Sequence, residues 1–346
     1  MYIQQLSEET LHIEKQGMLS QEILQAIYKD KLFKLFLPSD LGGRNLTLPE
    51  GVRIFQQMAK IDGNLGWLVT IGTGGNMFAS LFSKEVSQKI YSTENAVIAG
   101  SGYPTGKAVE REDGYLVTGQ WKYCSGSTYA TMFTMNCFIE RDGQTTSEVI
   151  SCAVPATEVN IIEDWDAMGM KATASHTIRV QNVFVPKGYT FHLGKQKNHY
   201  TSAVATFPFT PFSEASFLSV CLGLTESYLD EAAAVAKAKH HLTNLARLQQ
   251  LIGDIDRQRV RFNEIEEQFY EQLHQLWDGH VTETLLEEAL TQFSKLSQES
   301  ATACLDICHT IFRKMGMDAI LTSTRLNQIW RDLQTASQHG FLTANL

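Results

Sequence analysis

The period of the apolar residues limits this fold more than any other feature, because it changes twice along the chain. Residues 213–241 ("SEASFLSVCLGLTESYLDEAAAVAKAKHH") and 244–279 ("NLARLQQLIGDIDRQRVRFNEIEEQFYEQLHQLWDG") each keep helical spacing without a break. Residues 282–315 and 320–339 repeat the pattern. Helices near thirty residues exceed the usual globular length and gain stability only by packing on one another. Four of them in succession predict a four-helix bundle, entered through the linker "FPFTPF" at 207–212.

Upstream the period differs. The runs "GYLVTGQWKYCSG", "YATMFTMNCFIE", "EVISCAVPA" and "HTIRVQNVFVP" are rich in β-branched and aromatic residues and bounded by Gly, Asp and Pro. "REDGY" and "ERDGQ" supply Asp-Gly hairpin turns. They predict an antiparallel β domain of about 100 residues. Before it, "SQEILQAIYKDKLFKLFLPSD" predicts a helix stopping at Pro38, and "TLPEGVRIFQQMAKIDG" a second one with Thr47 as N-cap and Pro49 and Glu50 in its first turn. "NLGWLVTIGTGGNMFASLF" predicts a buried helix whose glycines admit a neighbour or a ligand. The expected organisation is α+β and multi-domain: N-terminal helices at 1–95, a central β domain at 96–205 and a C-terminal bundle at 206–346.

The net charge of −9 and the lack of a Lys/Arg-rich run argue against nucleic acid or an anionic membrane as partner. The polar start "MYIQQLSEETLHIEKQG" does not read as a signal peptide, and no apolar run reaches the roughly 20 residues of a spanning helix. Cys124, Cys137, Cys152, Cys221, Cys304 and Cys308 show no CxxC spacing, so reduced thiols in a cytoplasmic protein are expected. Cys304 and Cys308 share a helical face beside His309 and read as core packing rather than metal ligands. His240 and His241 suit a helix C-terminus.

The order helical, β, four-helix bundle resembles the acyl-CoA dehydrogenase superfamily. Four stretches carry the resemblance: "FLPSDLGGRNLTLPEGVRIFQQMAKIDGNLGW" (36–67), "GYLVTGQWKYCSGSTYA" (114–130), "MGMKATASHTIRVQNVFVP" (168–186) and "RLNQIWRDLQTASQH" (325–339). The resemblance implies that a flavin lies between the β domain and the bundle. It places Ser101 and Gly102 in a first flavin loop, Trp121, Tyr123, Cys124 and Ser125 on the strand facing the ring, and Thr173 and Ser175 in a segment touching flavin and substrate. Trp121 and Tyr123 alternate, so they are expected on one strand face. Ser125 is expected at the N5 edge. His339 ends the last helix, and an imidazole titrating near neutrality could shuttle a proton or hold a phenol. Arg331 and Asp332 are expected to orient that helix.

The dehydrogenases of this family remove an α-proton with a glutamate, which in one large branch follows the arginine of the Arg-Asp pair by nine residues. Counting from Arg331 reaches Gly340, after His339. Glycine cannot act as a base, which needs a positioned carboxylate. Other branches place the glutamate on an earlier bundle helix, here near Glu226 to Glu231. "GQWKYCSG" (119–126) is similar instead to the two-component flavin-dependent monooxygenases. That resemblance implies FAD or FMN taken up reduced from a separate reductase, O₂ as co-substrate, a small organic substrate and a homodimer or homotetramer. A dehydrogenase with its base on another helix and a non-catalytic small-molecule binder stand as alternatives.

Overall fold

The computed structural model describes residues 10–238 and 244–343; His240 and His241 lie outside them. Five helices come first: α1 (Thr10–Gln16), α2 (Gln21–Lys29), α3 (Leu48–Ile61), α4 (Gly63–Gly74) and α5 (Lys84–Tyr91). Seven strands follow: β1 (Ile98–Arg111), β2 (Gly114–Cys124), β3 (Met132–Arg141), β4 (Gln144–Pro155), β5 (Asn160–Ile162), β6 (His176–Pro186) and β7 (Thr190–Phe191). The remainder is α6 (Ala203–Thr206), α7 (Phe209–Ala238), α8 (Leu245–Val281), α9 (Glu287–Met315), α10 (Met317–Ile320), α11 (Arg325–Ala336) and α12 (Gly340–Thr343).

Local signals explain most boundaries. Thr47 caps α3: its backbone N–H and its hydroxyl both donate to Glu50 Oε2 at 2.8 Å. The helix expected to run to Pro38 ends at Lys29 instead. Lys31 adopts φ 53°, which no helix accommodates, and the next residues run buried across the core. There Lys34 Nζ donates to the carbonyls of Tyr91 and Thr93. In α4 a Cβ on Gly66 would lie 2.4 Å from Ala59 Cα, so that glycine admits a neighbouring helix.

The strand order is β5-β6-β2-β1-β3-β4-β7. All neighbours are antiparallel except β1 and β3, which run parallel. The sheet is therefore not the purely antiparallel one expected. The hairpin at Asp113 sends β2 back along one side of β1, and residues 125–131 then carry the chain to the other side, where β3 starts level with β1. Asp142 and Gly143, at φ 51° and 77°, turn the β3–β4 hairpin.

Helices α7, α8, α9 and α11 form the bundle. The fourth is 12 residues long, against 30, 37 and 29 for the others. Helix α7 is buried on nearly every face from Pro211 to Leu229, since α3, α4, α8, α9 and α11 pack around it. It already begins within the stretch read as a linker. One apolar core runs from Ile27, Phe55 and Leu65 through Leu218 to Phe269 and Cys304, so the N-terminal helices and the bundle are a continuous packing unit. A second core lies under the sheet around Trp121, Phe133 and Ile178. All six cysteines are buried free thiols. No helix among the described residues is long and apolar enough to cross a membrane.

Candidate active site

The end of β2 meets the segment before β6 where the sheet faces α4, α7 and the C-terminal turn. Two backbone bonds join these strand ends: Gly126 N donates to Thr173 O at 2.8 Å and Ser127 N to Ala174 O at 3.4 Å. Ser127 Oγ adds a bond to Ala174 O at 2.7 Å. They bring together three of the hydroxyls singled out from the sequence. Ser125 Oγ and Ser175 Oγ are 2.7 Å apart, and Ser175 Oγ and Thr173 Oγ1 are also 2.7 Å apart. Trp67, from α4, donates its indole N–H to Ser125 Oγ at 2.9 Å. Thr173 Oγ1 donates to Met170 O at 2.9 Å. Ser125 lies at the indole end of this row, and all three residues are buried.

An aromatic wall stands beside Ser125. The Trp67 ring lies 5.1 Å from Phe217 of α7 and 5.8 Å from His339. His339 stacks on Phe217 at 3.6 Å, with Phe341 5.6 Å from His339 and 6.3 Å from Phe217. Ser125 and His339 thus flank one indole. Burial pushes the His339 imidazole down to about 4, so it is neutral at pH 7. Its Nδ1 accepts from the Phe341 N–H at 3.4 Å, which leaves the Nε2 proton as the donor it can offer. A proton shuttle working near neutrality does not fit that environment; a neutral hydrogen-bonding group does.

The four aromatic and sulfur positions of β2 separate. Trp121 is fully buried in the sheet core, where Nε1 donates to Asn136 O at 2.9 Å. Tyr123 is 63% exposed, at φ 65°. They do not share a strand face, because the β2–β6 register shifts between Trp121 and Cys124 and the left-handed Tyr123 reverses the alternation. Cys124 is buried with Trp121, and burial pushes its thiol up to about 12. The Trp121 and Cys124 side chains therefore face the core, and only their backbones could meet a ligand. Ser101 and Gly102 open the stretch where the β1–β3 register shifts, between Ser101 and Gly106. Gly102 O accepts from Asn136 Nδ2, and the exposed Tyr103 reaches the C-terminal turn, its hydroxyl 3.6 Å from where a Cβ on Gly340 would be.

The Arg331–Asp332 pair does more than orient α11. Arg331 forms two bonds with Glu14, and its NH1 also donates to Met168 O at 2.6 Å. Asp332 Oδ1 accepts from Met170 N. Between them, a Cβ on Gly169 would lie 2.1 Å from Arg331 O, so only glycine fits. Trp165 Nε1 donates to Met170 O at 2.9 Å. The segment carrying Thr173 and Ser175 is held from both ends. Burial, then the nearby Asp62 carboxylate, push the Asp332 carboxyl well above the usual range.

Helix α7 carries the carboxylates that a proton-abstracting enzyme would need. Glu226 is paired with Lys60, Asp230 with Lys60 and Arg259, and Glu231 with Arg325. Glu214 is buried and accepts from Ser294 Oγ of α9 at 2.8 Å. Two surface clefts lie away from the aromatic wall: one of about 590 Å³ between α7 and α8, including Ile252 and Arg259, and one of about 400 Å³ lined by Asn45, Tyr200 and Trp277.

Trp67, Phe217 and Phe341 were not named as site residues from the sequence, and the Met168–Met170 segment, though part of the quoted stretch 168–186, was given no role. One sign was readable for Trp67: a tryptophan in an apolar Gly-rich helix needs a partner for its indole N–H.

Residues 215–344 match the model of the acyl-CoA dehydrogenase C-terminal domain. The indole-3-acetate monooxygenase of Acinetobacter baumannii is 23% identical over 95% of this chain and 85% of its own length. The oxygenase subunit HsaA of a flavin-dependent monooxygenase from Rhodococcus jostii is 21% identical, over 97% and 91%. Among solved structures, XiaF from Streptomyces in complex with FADH2 and glycerol superposes with a TM-score of 0.88 at 19% identity, covering 97% of this chain and 88% of its own. The 3-HSA hydroxylase of Rhodococcus sp. RHA1 gives 0.86 at 18% identity, covering 98% and 90%. The chain has the acyl-CoA dehydrogenase fold, and the relatives it resembles along nearly its whole length are flavin-dependent monooxygenases.

Proposed function

We propose that this protein is the oxygenase of a two-component flavin-dependent monooxygenase, acting on a small organic substrate with reduced FAD or FMN delivered by a separate reductase. The observation that carries this reading is the composition of the site. A serine hydroxyl with a spare lone pair stands beside a wall of Trp67, Phe217 and His339, while Glu226, Asp230 and Glu231 are engaged in ion pairs. An acyl-CoA dehydrogenase needs a carboxylate aimed at the substrate α-proton. The residues fit a flat, hydrogen-bonding ring system: aromatic faces for stacking, Ser125 Oγ at one edge, and the exposed rim of Tyr123, Gly102 and Tyr103.

Reduced flavin, when bound, supplies the two electrons that let one atom of O₂ enter the substrate while the other leaves as water. This chain's own residues bind and orient. Ser125 holds the ring edge, the neutral His339 offers its Nε2 proton to an oxygen on the substrate, and Phe217 and Phe341 exclude water from that contact. The likeness to an indole-3-acetate monooxygenase supports an aromatic substrate. A panel of indoles and phenols, supplied with reduced flavin by a generic NADH-dependent reductase under ¹⁸O₂, tests the reading. A product carrying one ¹⁸O atom is expected. Oxidation of acyl-CoA thioesters with no oxygen incorporated would assign the chain to dehydrogenase chemistry instead.

A further inference from the structure

The row of hydroxyls behind Ser125 has a direction, and both of its ends fix it. Trp67 Nε1 can only donate, so Ser125 must accept from it. Met170 O can only accept, so Thr173 must spend its one hydroxyl proton there. Thr173 then has no proton for Ser175, and the 2.7 Å contact between them requires Ser175 to donate. Ser175 in turn has none left for Ser125, so Ser125 donates to Ser175. The proton of every hydroxyl points away from the aromatic wall. What remains on Ser125 is one lone pair.

The far end cannot readily turn. Met170 sits at φ 55°, its N–H bonded to Asp332 and its carbonyl also bonded to Trp165 Nε1. Reversing the row would forfeit the Thr173–Met170 bond in the buried interior, where an unmade bond is costly.

We infer that Thr173 and Ser175 are positioning residues that hold Ser125 as a hydrogen-bond acceptor, and that this polarity makes the site favour reduced over oxidised flavin. The inference rests on the flavin reading above. Reduced flavin carries an N–H at N5, which Ser125 can accept. Oxidised flavin presents a bare nitrogen lone pair there, which meets the lone pair of Ser125 unless the whole row reverses.

The test is anaerobic titration of the full-length protein with each redox state of FAD and of FMN, read as dissociation constants by flavin absorbance and fluorescence. Wild type is expected to prefer the reduced form. Thr173→Val removes the group that commits the row, so the preference should shrink roughly tenfold, the effect of about one hydrogen bond. Thr173→Ser should restore it. Ser175→Ala breaks the same row one step nearer Ser125 and should act as Thr173→Val does, which covers a Thr173→Val protein that fails to fold. Equal weakening of both redox states in Thr173→Val and Ser175→Ala would overturn the inference and leave the flavin reading standing. So would a wild type that prefers oxidised flavin. A wild type that binds neither form would remove the flavin reading, and the inference with it.

Discussion

His339 lies against Phe217 at 3.6 Å with Phe341 packed beside both rings, and that packing decides its protonation. The unfolded chain takes up a proton on this residue near 6.5, whereas the folded one resists until about 4. Between those values the unfolded state binds more protons. Its contribution to stability is therefore full above 6.5 and is lost as pH falls towards 4. Each unit between the two values is worth about 1.4 kcal/mol. Wild type should lose this stability relative to His339→Gln across that window, as denaturant melts at pH 7, 6, 5 and 4 would show. A constant difference across the series would mean that the ring is more hydrated than its packing suggests. The sequence put His339 at the end of the last helix; it lies instead in the turn between α11, which ends at Ala336, and α12. Its charge state was not legible, because the rings that desolvate it come from α7 and the C-terminal turn. Similarly, "WKYC" reads as an alternating strand, but one left-handed residue, Tyr123, buries Trp121 and exposes its neighbour.

At the scale of elements, α11 works by gripping the Met168–Met170 segment. Removing the Asp332 acceptor leaves the buried Met170 N–H without a partner, at a cost of about 1–3 kcal/mol. Asp332→Ala should show that loss in urea melts. Asp332→Asn, which keeps an acceptor and adds no buried charge, should lose clearly less. Equal losses would mean that packing, and not the hydrogen bond, holds the segment. The seam between α7 and α9 makes a different prediction. Burial raises Glu214 to about 7, with the Ser294 hydroxyl pulling the other way. A carboxyl raised on folding stabilises below its unfolded value of 4.5, and that stability is lost as pH rises through about 7. Glu214→Gln should therefore match wild type in melting temperature near pH 4.5 and exceed it by several degrees at pH 8.5. A mutant that melts lower than wild type at pH 8.5 would show that the ionised carboxylate is stabilising there. The long bundle helices and the Thr47 cap were readable because period and capping are local signals. The early end of α2 was not: "KDKLFKLF" keeps helical spacing, and only the buried path of residues 32–37 across the core makes Lys31 turn.

At the scale of the molecule, the candidate site lies between two apolar cores, one joining the N-terminal helices to the bundle and one beneath the sheet. The order of helices, strands and bundle was visible in the sequence. The parallel pairing of β1 with β3 was not, since strand order depends on which edge residues 125–131 reach. That same stretch opens with Ser125, so the crossover that makes the sheet mixed also delivers the hydroxyl to the aromatic wall. The most direct measurement is to mix the protein anaerobically with FADH2 or FMNH2 and then, in a stopped-flow instrument, with oxygenated buffer. Tight binding of the reduced flavin is expected, with a reoxidation trace distinct from that of free flavin and altered in Ser125→Ala. A trace identical to free flavin, together with tight binding of oxidised FAD that an acyl-CoA bleaches, would contradict the monooxygenase reading.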